Sequence, residues 1–103
     1  MESIRIEDKK YKSKKSLRAY VSWVGPKKVK PRIELQLLRN GCYHDSSIEL
    51  CNGEISCTWE NLEVYDSYGD EYVYKVIQLT KLEDYSTEIS KYGLLIINRY
   101  KKN

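Results

Sequence analysis

The sequence predicts an all-β sandwich domain, and three observations predict it. Apolar and polar residues alternate along several short segments, with the period of a half-buried strand. Turn signals such as Gly25-Pro26, Asn40-Gly41 and Asn52-Gly53 separate these segments at intervals of about ten residues. The 103 residues include ten tyrosines and no phenylalanine, and tyrosine suits half-exposed pleated surfaces. No segment has a helical period long enough to predict a helix.

The first two strands have the clearest alternation, and we predict them at residues 17–23 and 32–38. A glycine–proline break separates them. Asn40-Gly41 then predicts a tight hairpin turn, because both central positions of a type I′ turn need a positive φ. The residues predicted to face the core from these two strands are Leu17, Ala19, Val21, Trp23, Ile33, Leu35 and Leu37.

The middle of the chain is less regular. Residues 43–50 are predicted to form one less regular strand, and Asn52-Gly53 predicts a second hairpin turn. Residues 55–59 alternate again, whereas residues 61–66 are predicted to be a connection that leads into a polar turn. The alternation places Ile55, Cys57 and Trp59 on one face, and we expect Ile55 and Trp59 to belong to the core.

Three further strands are predicted in the last third of the chain, at residues 72–79, 85–89 and 94–100. A turn at Tyr92-Gly93 precedes the last of them. Val76 and residues among 95–97 are expected in the core. The first of these strands has Tyr72, Tyr74, Val76 and Gln78 on one face.

The charge distribution suggests a division into a basic flexible tail or linker (residues 1–15), a sandwich domain (16–100) and a polar tail (101–103). Residues 1–30 carry ten Lys and Arg against three acids, whereas the remainder carries eight against twelve. Such a basic segment could bind nucleic acid or an anionic wall polymer. No basic and aromatic face continues beyond it, so we expect a linker and no nucleic-acid partner. No apolar stretch approaches the roughly 20 residues that span a bilayer, and the first residues lack the apolar part of a secretory signal.

Three cysteines, Cys42, Cys51 and Cys57, leave at least one free thiol or an intermolecular bond. A bridge from Cys42 to either of the others stays open. Together with His44 these are zinc-binding residue types, but the spacing lacks a paired C-x₂-C knuckle, and we expect no metal or other cofactor. His44 has no recognisable nucleophile partner and no acid pair is typical of a hydrolase, so we expect no enzymatic activity.

Six segments between about residues 17 and 100 follow one another in a recognisable order. They are Val21-Ser22-Trp23, Pro31 through Asn40-Gly41, Thr58-Trp59-Glu60-Asn61-Leu62, Tyr65-Asp66-Ser67-Tyr68-Gly69, Tyr74-Lys75-Val76-Ile77-Gln78 and Ile96-Ile97-Asn98-Arg99-Tyr100. Taken together, these segments resemble the B-type repeat domains of Gram-positive collagen adhesins, the Cna B-type family. Glu63 stands where that family usually has proline. The resemblance implies an immunoglobulin-like or transthyretin-like β-sandwich of seven or eight strands, with the first and last strands side by side.

Many members of this family join a first-strand lysine amine to a last-strand asparagine carboxamide, with the help of an acid on an intervening strand. The resemblance places these three positions at Val21, Asn98 and Gln78. Valine has no nucleophile, and glutamine cannot relay a proton as a buried carboxylic acid does. We therefore expect no crosslink, and we expect Asn98 to hydrogen-bond to Gln78 or to the backbone. Lys15 lies six residues before Val21, too far along the chain to replace the missing amine.

The resemblance implies a structural function, as a stalk or spacer module of a cell-surface or cell-wall protein. Its partners would be neighbouring domains of the same protein, and the complete surface protein would bind a host or cell-wall ligand. One alternative is a module that binds protein or carbohydrate through exposed tyrosines, with Tyr65, Tyr68 and Tyr72 as candidates. Another is a cytoplasmic protein of similar fold, which three thiols would suit.

Overall fold

Two packed β-sheets form the domain in the computed structural model, which describes residues 13–26 and 30–101. No helix occurs among these residues, and the predicted all-β sandwich is confirmed. Residues 1–12, 27–29 and 102–103 lie outside the described part of the chain, and most of the predicted basic tail falls on the first of these ranges. The eight strands are β1 (Lys14–Val24), β2 (Ile33–Arg39), β3 (Cys42–Tyr43), β4 (Ile48–Leu50), β5 (Ser56–Glu63), β6 (Tyr74–Gln78), β7 (Tyr85–Ile89) and β8 (Leu95–Tyr100).

The larger sheet is built around β1, in the order β5-β1-β8-β7. The lower half of β1 pairs with β5 in the antiparallel sense, and its upper half pairs with β8 in the parallel sense. Tyr20 marks the changeover, because it lies opposite both Ser56 and Leu95. The first and last strands are therefore neighbours, as the resemblance implied.

The smaller sheet is built around β2, which has β6 on one side and the short strands β3 and β4 on the other. The predicted hairpin between β2 and β3 is confirmed. Its turn residues Asn40 and Gly41 have φ values of 50° and 83°, and Arg39 lies opposite Cys42. Asparagine and glycine tolerate this left-handed backbone better than other residues, so the local sequence determines the turn.

The second predicted hairpin is wrong. Asn52 and Gly53 do form a tight turn with φ values of 54° and 80°, and the amide of Glu54 donates to the Cys51 carbonyl at 3.1 Å. The strands on either side, β4 and β5, nevertheless lie in different sheets. A turn signal determines the local backbone, whereas burial of the next strand determines its partner. Ile55 consequently precedes β5 and is 55% exposed, so its predicted place in the core is wrong as well.

The predicted connection at 61–66 begins too early, because β5 continues to Glu63. Asn61 has a φ of 59°, and the pairing of β1 with β5 shifts by one residue between Lys15 and Leu17. This β-bulge lets the strand resume its pairing and brings Leu62 into the core with 1% exposure. Likewise, β1 begins at Lys14, two residues before the predicted domain boundary.

The core lies between the two sheets and contains most of the residues predicted for it. Leu17 and Trp23 are half-buried at its margin. Leu50, Leu62, Tyr74 and Tyr85 are buried although the sequence did not single them out as core. The predicted residues that are buried are Ala19, Val21, Ile33, Leu35, Leu37, Trp59, Val76 and Ile96.

Candidate functional site

Asn98 is the most deeply buried polar residue of the described chain, with 0% exposure. It follows Ile96 by two positions on β8, so the alternation of the strand turns both side chains toward the core. A carboxamide in such a place needs hydrogen-bond partners, because an unsatisfied buried amide costs about 1–3 kcal/mol.

A closed ring of three side chains satisfies the Asn98 amide. Asn98 Nδ2 donates to Gln78 Oε1 at 3.0 Å, and Thr87 Oγ1 donates to Asn98 Oδ1 at 2.6 Å. Gln78 Nε2 completes the ring by donating to Thr87 Oγ1 at 3.3 Å, and it also donates to the Thr80 carbonyl at 3.0 Å. The predicted contact between Asn98 and Gln78 is confirmed.

Thr87 was missed by the sequence analysis. It lies directly opposite Asn98 in the pairing of β7 with β8. The signal was available in the sequence, since Thr87 shares the inward parity of the buried Tyr85 two residues before it. All three members of the ring are neutral, so the ring has neither an acid nor a base that could move a proton at neutral pH.

Val21, where the resemblance implies the lysine position of the crosslink, is 3% exposed and lies on the core face of β1. Its neighbour on β8 is Ile96, whereas Trp23 lies opposite Asn98. The Trp23 ring meets Tyr85 edge-on, with 5.1 Å between ring centroids. The indole N–H of Trp23 is buried and has no acceptor among the described residues.

β1 contains two lysines, Lys14 and Lys15, and Lys15 is the nearer of the two to this site along the strand. Eight residues separate it from Trp23, which corresponds to about 26 Å along a strand. Its Nζ lies 5.3 Å from the ring centroid of Tyr74, at the opposite end of the sandwich. Lys15 therefore belongs to a different contact and cannot supply an amine to Asn98.

The candidate tyrosines share one loop between β5 and β6, but they do not form an exposed patch. Tyr68 is 86% exposed, whereas Tyr65 and Tyr72 are half-buried. The backbone of Tyr65 forms an isolated antiparallel β-bridge with that of Glu71. The Arg39 guanidinium lies 4.1 Å from the centroid of the Tyr72 ring. The bridge at Tyr65 therefore closes the loop on itself, and Tyr72 contacts Arg39 at the end of β2.

Cys42, Cys51 and Cys57 are all free thiols. Cys42 is exposed, and the other two are half-buried. Burial raises the pKa of the Cys57 thiol to about 11. Within residues 13–26 and 30–101, no group of three or more His, Cys, Asp or Glu side chains could hold a metal ion, and no helix could cross a membrane.

A cleft of about 450 Å³ adjoins the amide ring, where the edges of β6 and β7 lie next to each other. Gln78 and Thr87 belong to both the ring and the cleft wall. Polar and apolar groups both line the cleft, and three exposed charged side chains stand at its mouth. The lining residues are Gln78, Thr80, Lys81, Leu82, Glu83, Tyr85, Thr87 and Lys101.

Comparison with known proteins gives one family and several solved structures. The family described as Cna protein B-type domain matches residues 22–99. No curated protein matches the chain. Solved structures that resemble it include a single B repeat unit (B1) of the collagen-binding surface protein Cna of Staphylococcus aureus, with a TM-score of 0.73 and 21% sequence identity. The match covers 86% of this chain and 51% of that one.

The pilus backbone RrgB of Streptococcus pneumoniae is similar at a TM-score of 0.59 and 19% identity, over 85% of this chain and 34% of that chain. The structure of two B repeat units (B1B2) of the same S. aureus protein is similar at a TM-score of 0.69 and 20% identity. That match covers 87% of this chain and 26% of the other. This chain therefore spans about half, or less, of the length of each protein it resembles. At these identities the likeness describes the fold.

Proposed function

The chain belongs to the Cna protein B-type domain family, and from this we propose that it is a stalk or spacer module of a larger bacterial cell-surface protein. The observation that best supports the proposal is the direction of two neighbouring strands. β1 and β8 are parallel, so the chain enters at one end of the larger sheet and leaves at the other. From Lys14 to Val24 the sheet spans about 33 Å, and modules joined end to end would form a linear rod.

The same geometry favours resistance to force. A pull on the two ends of a rod would draw β1 and β8 in opposite directions along their length. All the hydrogen bonds between the five paired positions from Tyr20 to Val24 would then bear the load together. Bonds that break one at a time give way at lower force.

We propose further that this module holds together without the amide crosslink of its relatives. Formation of that bond requires an uncharged amine as nucleophile and a carboxylic acid to move protons, with ammonia as the leaving group. Val21 supplies no amine, and Gln78 supplies no acid. Two hydrogen bonds support the assignment, because they occupy the carboxamide on both sides: Asn98 Nδ2 donates to Gln78, and Thr87 donates to Asn98 Oδ1.

Intact-protein mass spectrometry tests the absence of the crosslink. We expect the measured mass to equal the mass calculated from the sequence, in the reduced protein and in the protein as purified. A mass that is lower by one ammonia would show that the bond forms and that the aligned positions are wrong. The Asn98→Ala variant controls for ammonia lost elsewhere, because it removes the only predicted acceptor.

Surface labelling of the bacterium that produces the protein tests the stalk role. We expect an antibody against the folded domain to bind intact cells, and external protease to remove that signal. Labelling that appears only after lysis would contradict a surface location and would favour the cytoplasmic alternative, which three free thiols suit.

A further inference from the structure

The outer edge of β7 is open. β7 pairs with β8 and with no other strand in the described part of the chain. The Ser90 amide donates to the Leu95 carbonyl, and the Lys101 amide donates to the Asp84 carbonyl. These two bonds show which residues of β7 are hydrogen-bonded to β8 and which are not. By the alternation of an antiparallel pair, residues 86 and 88 bond to β8, while the backbone groups of Tyr85, Thr87 and Ile89 point away from the sheet.

The outer edges of β5 and β6 are protected, and β3 and β4 are edge strands of only two and three residues. β5 carries the bulge at Asn61, which interrupts any regular ladder on its outer side. β6 is covered at its middle, because the Val76 amide donates to the Gly93 carbonyl at 2.8 Å. Gly93 also packs so closely on β6 that an added Cβ would lie 2.8 Å from Lys75 Cγ. β7 has no proline, lysine or bulge among its five residues.

The cleft beside β7 lies where the side chains of an added strand would point. Tyr85 and Thr87 line it from the inward face of β7. Neighbouring strands lie about 4.8 Å apart and share their alternation, so every second side chain of an added strand would stand next to these two residues. The volume of about 450 Å³ accommodates one or two such side chains.

The charges at the cleft favour one kind of side chain. Lys81 and Lys101 are exposed at the mouth, and neither forms an ion pair with any described residue. Glu83 is the single acid there. The nearby pair of Arg99 and Glu88, at 2.9 Å, lies on the outward face of the sheet and neutralises itself. An acidic side chain entering between the two lysines would be the most favourable occupant.

We propose that this open seam, formed by the β7 edge and the adjoining cleft, binds an extended peptide segment of a partner protein by strand addition. The segment pairs with the backbone of Tyr85, Thr87 and Ile89 and places an acidic side chain in the cleft. Main-chain bonds then supply affinity, and the cleft supplies specificity. This binding site lies apart from the contact between β1 and β8 on which the stalk role rests, because β7 is on the other side of β8 from β1. It shares Gln78 and Thr87 with the amide ring.

Nuclear magnetic resonance titration tests the proposal. The probe is a capped eight-residue peptide in which threonine and valine alternate around a central glutamate, added to the ¹⁵N-labelled domain. We expect shifts at the amides of residues 78–89 and at Lys101. Two control peptides should bind weakly: one with N-methylated alternate amides, which cannot pair as a strand, and one with lysine in place of glutamate.

Variants of the domain locate the bound peptide. Ile89→Pro removes an outward N–H without touching the bonds to β8, and we expect it to weaken binding about tenfold. Lys81→Glu should weaken it about two- to fivefold, more strongly at low salt. Thr58→Pro places a proline at an outward position of the β5 edge and should leave the affinity unchanged. Dispersed spectra and thermal melts of each variant establish that it is folded.

Three results would overturn the proposal. The β7 amides could remain unshifted at millimolar peptide, or Ile89→Pro could bind as tightly as the wild type. The free domain could also dimerise through its β7 amides, which sedimentation and concentration-dependent shifts would reveal. That result would make a second copy the natural occupant.

Discussion

At the scale of single residues, Asn98 shows how a polar group becomes part of a core. Its carboxamide is fully buried, and Gln78 and Thr87 meet both of its ends. Such a ring is stable only while every member is satisfied, because a lone buried donor or acceptor is costly. In the crosslink that the resemblance implies for many family members this amide would be a reactant, and we propose that in this chain it acts as a structural hydrogen-bonding group.

Replacement of Asn98 by alanine should therefore be strongly destabilising. It removes the donor to Gln78 and the acceptor for Thr87 and leaves a small cavity, and we expect a loss of about 2–4 kcal/mol in the free energy of unfolding. Urea denaturation followed by tryptophan fluorescence measures it. Ser86→Ala, on the outward face of the same strand pair, is the control and should change the stability by less than about 0.5 kcal/mol. Equal effects of the two variants would show that the ring contributes little.

Cys57 provides a second prediction at this scale. Burial raises the pKa of its thiol from the ordinary 9.0 to about 11 in the folded state. The folded protein therefore holds this proton more tightly than the unfolded protein does. The resulting stability is fully present below about pH 9 and is lost as the pH rises toward 11. Since the thiol is half exposed, solvent reduces the size of the effect.

Measurement of the urea midpoint between about pH 8 and pH 10.5 tests this dependence. We expect the midpoint of the wild type to fall more steeply than that of Cys57→Ala, in which the titrating group is absent. Other groups, Tyr74 among them, titrate in both proteins and cancel in the comparison. Parallel curves for the two proteins would contradict the prediction.

At the scale of strands and turns, the sequence predicts local backbone better than partnership. The short strand predicted around residues 85–89 agrees with β7 at both ends, and Asn40-Gly41 correctly predicts a hairpin. Asn52-Gly53 has the same chemistry and the same positive φ values, yet the following strand crosses to the other sheet. Nothing in a two-residue turn encodes this difference, because β5 is drawn to β1 by the burial of Trp59 and Leu62.

The bulge at Asn61 is the feature of β5 that alternation could not predict, and it gives a testable consequence. Its φ of 59° costs an ordinary L-residue about 1–2 kcal/mol, while glycine adopts it freely. We expect Asn61→Ala to lower the free energy of unfolding by about 1 kcal/mol and Asn61→Gly to be near neutral. Chemical denaturation of the two variants distinguishes a bulge from a regular strand, in which glycine would be the more harmful substitution.

For the candidate site, the sequence located two members of the amide ring through the family resemblance and missed the third. Gln78 and Asn98 lie in segments that match the resemblance, whereas Thr87 lies in a segment without a motif. The turn residues predict the loop that carries the candidate tyrosines, but of the three tyrosines expected to be exposed only Tyr68 is, and Tyr65 and Tyr72 are half-buried. Packing of Tyr72 beneath Arg39 depends on where β2 ends, which is a property of the tertiary structure.

At the scale of the whole molecule, cohesion depends on the contact between β1 and β8, which joins the start of the domain to its end. Among the described residues that contact consists of the pairing of Tyr20–Val24 with Leu95–Arg99 and of apolar packing, and we propose that no covalent bond adds to it. A covalent bond at the same place would close a loop of nearly eighty residues. By analogy with a disulfide, such a closure stabilises the folded state by about 4 kcal/mol.

The double variant Val21→Lys with Gln78→Glu tests this account by restoring the two missing groups. Val21 is buried, and residue 78 is half-buried and already contacts Asn98. Burial favours the uncharged amine and the uncharged acid. We expect the folded variant to lose the mass of one ammonia and its melting temperature to rise by about 15–30 °C.

The single variant Val21→Lys and the triple variant that adds Asn98→Ala should retain the full mass and melt below the wild type, because each buries an amine that cannot react. If the folded double variant keeps its full mass, Val21 is not the lysine position. Trp23, directly opposite Asn98 on β1, would then be the residue to replace.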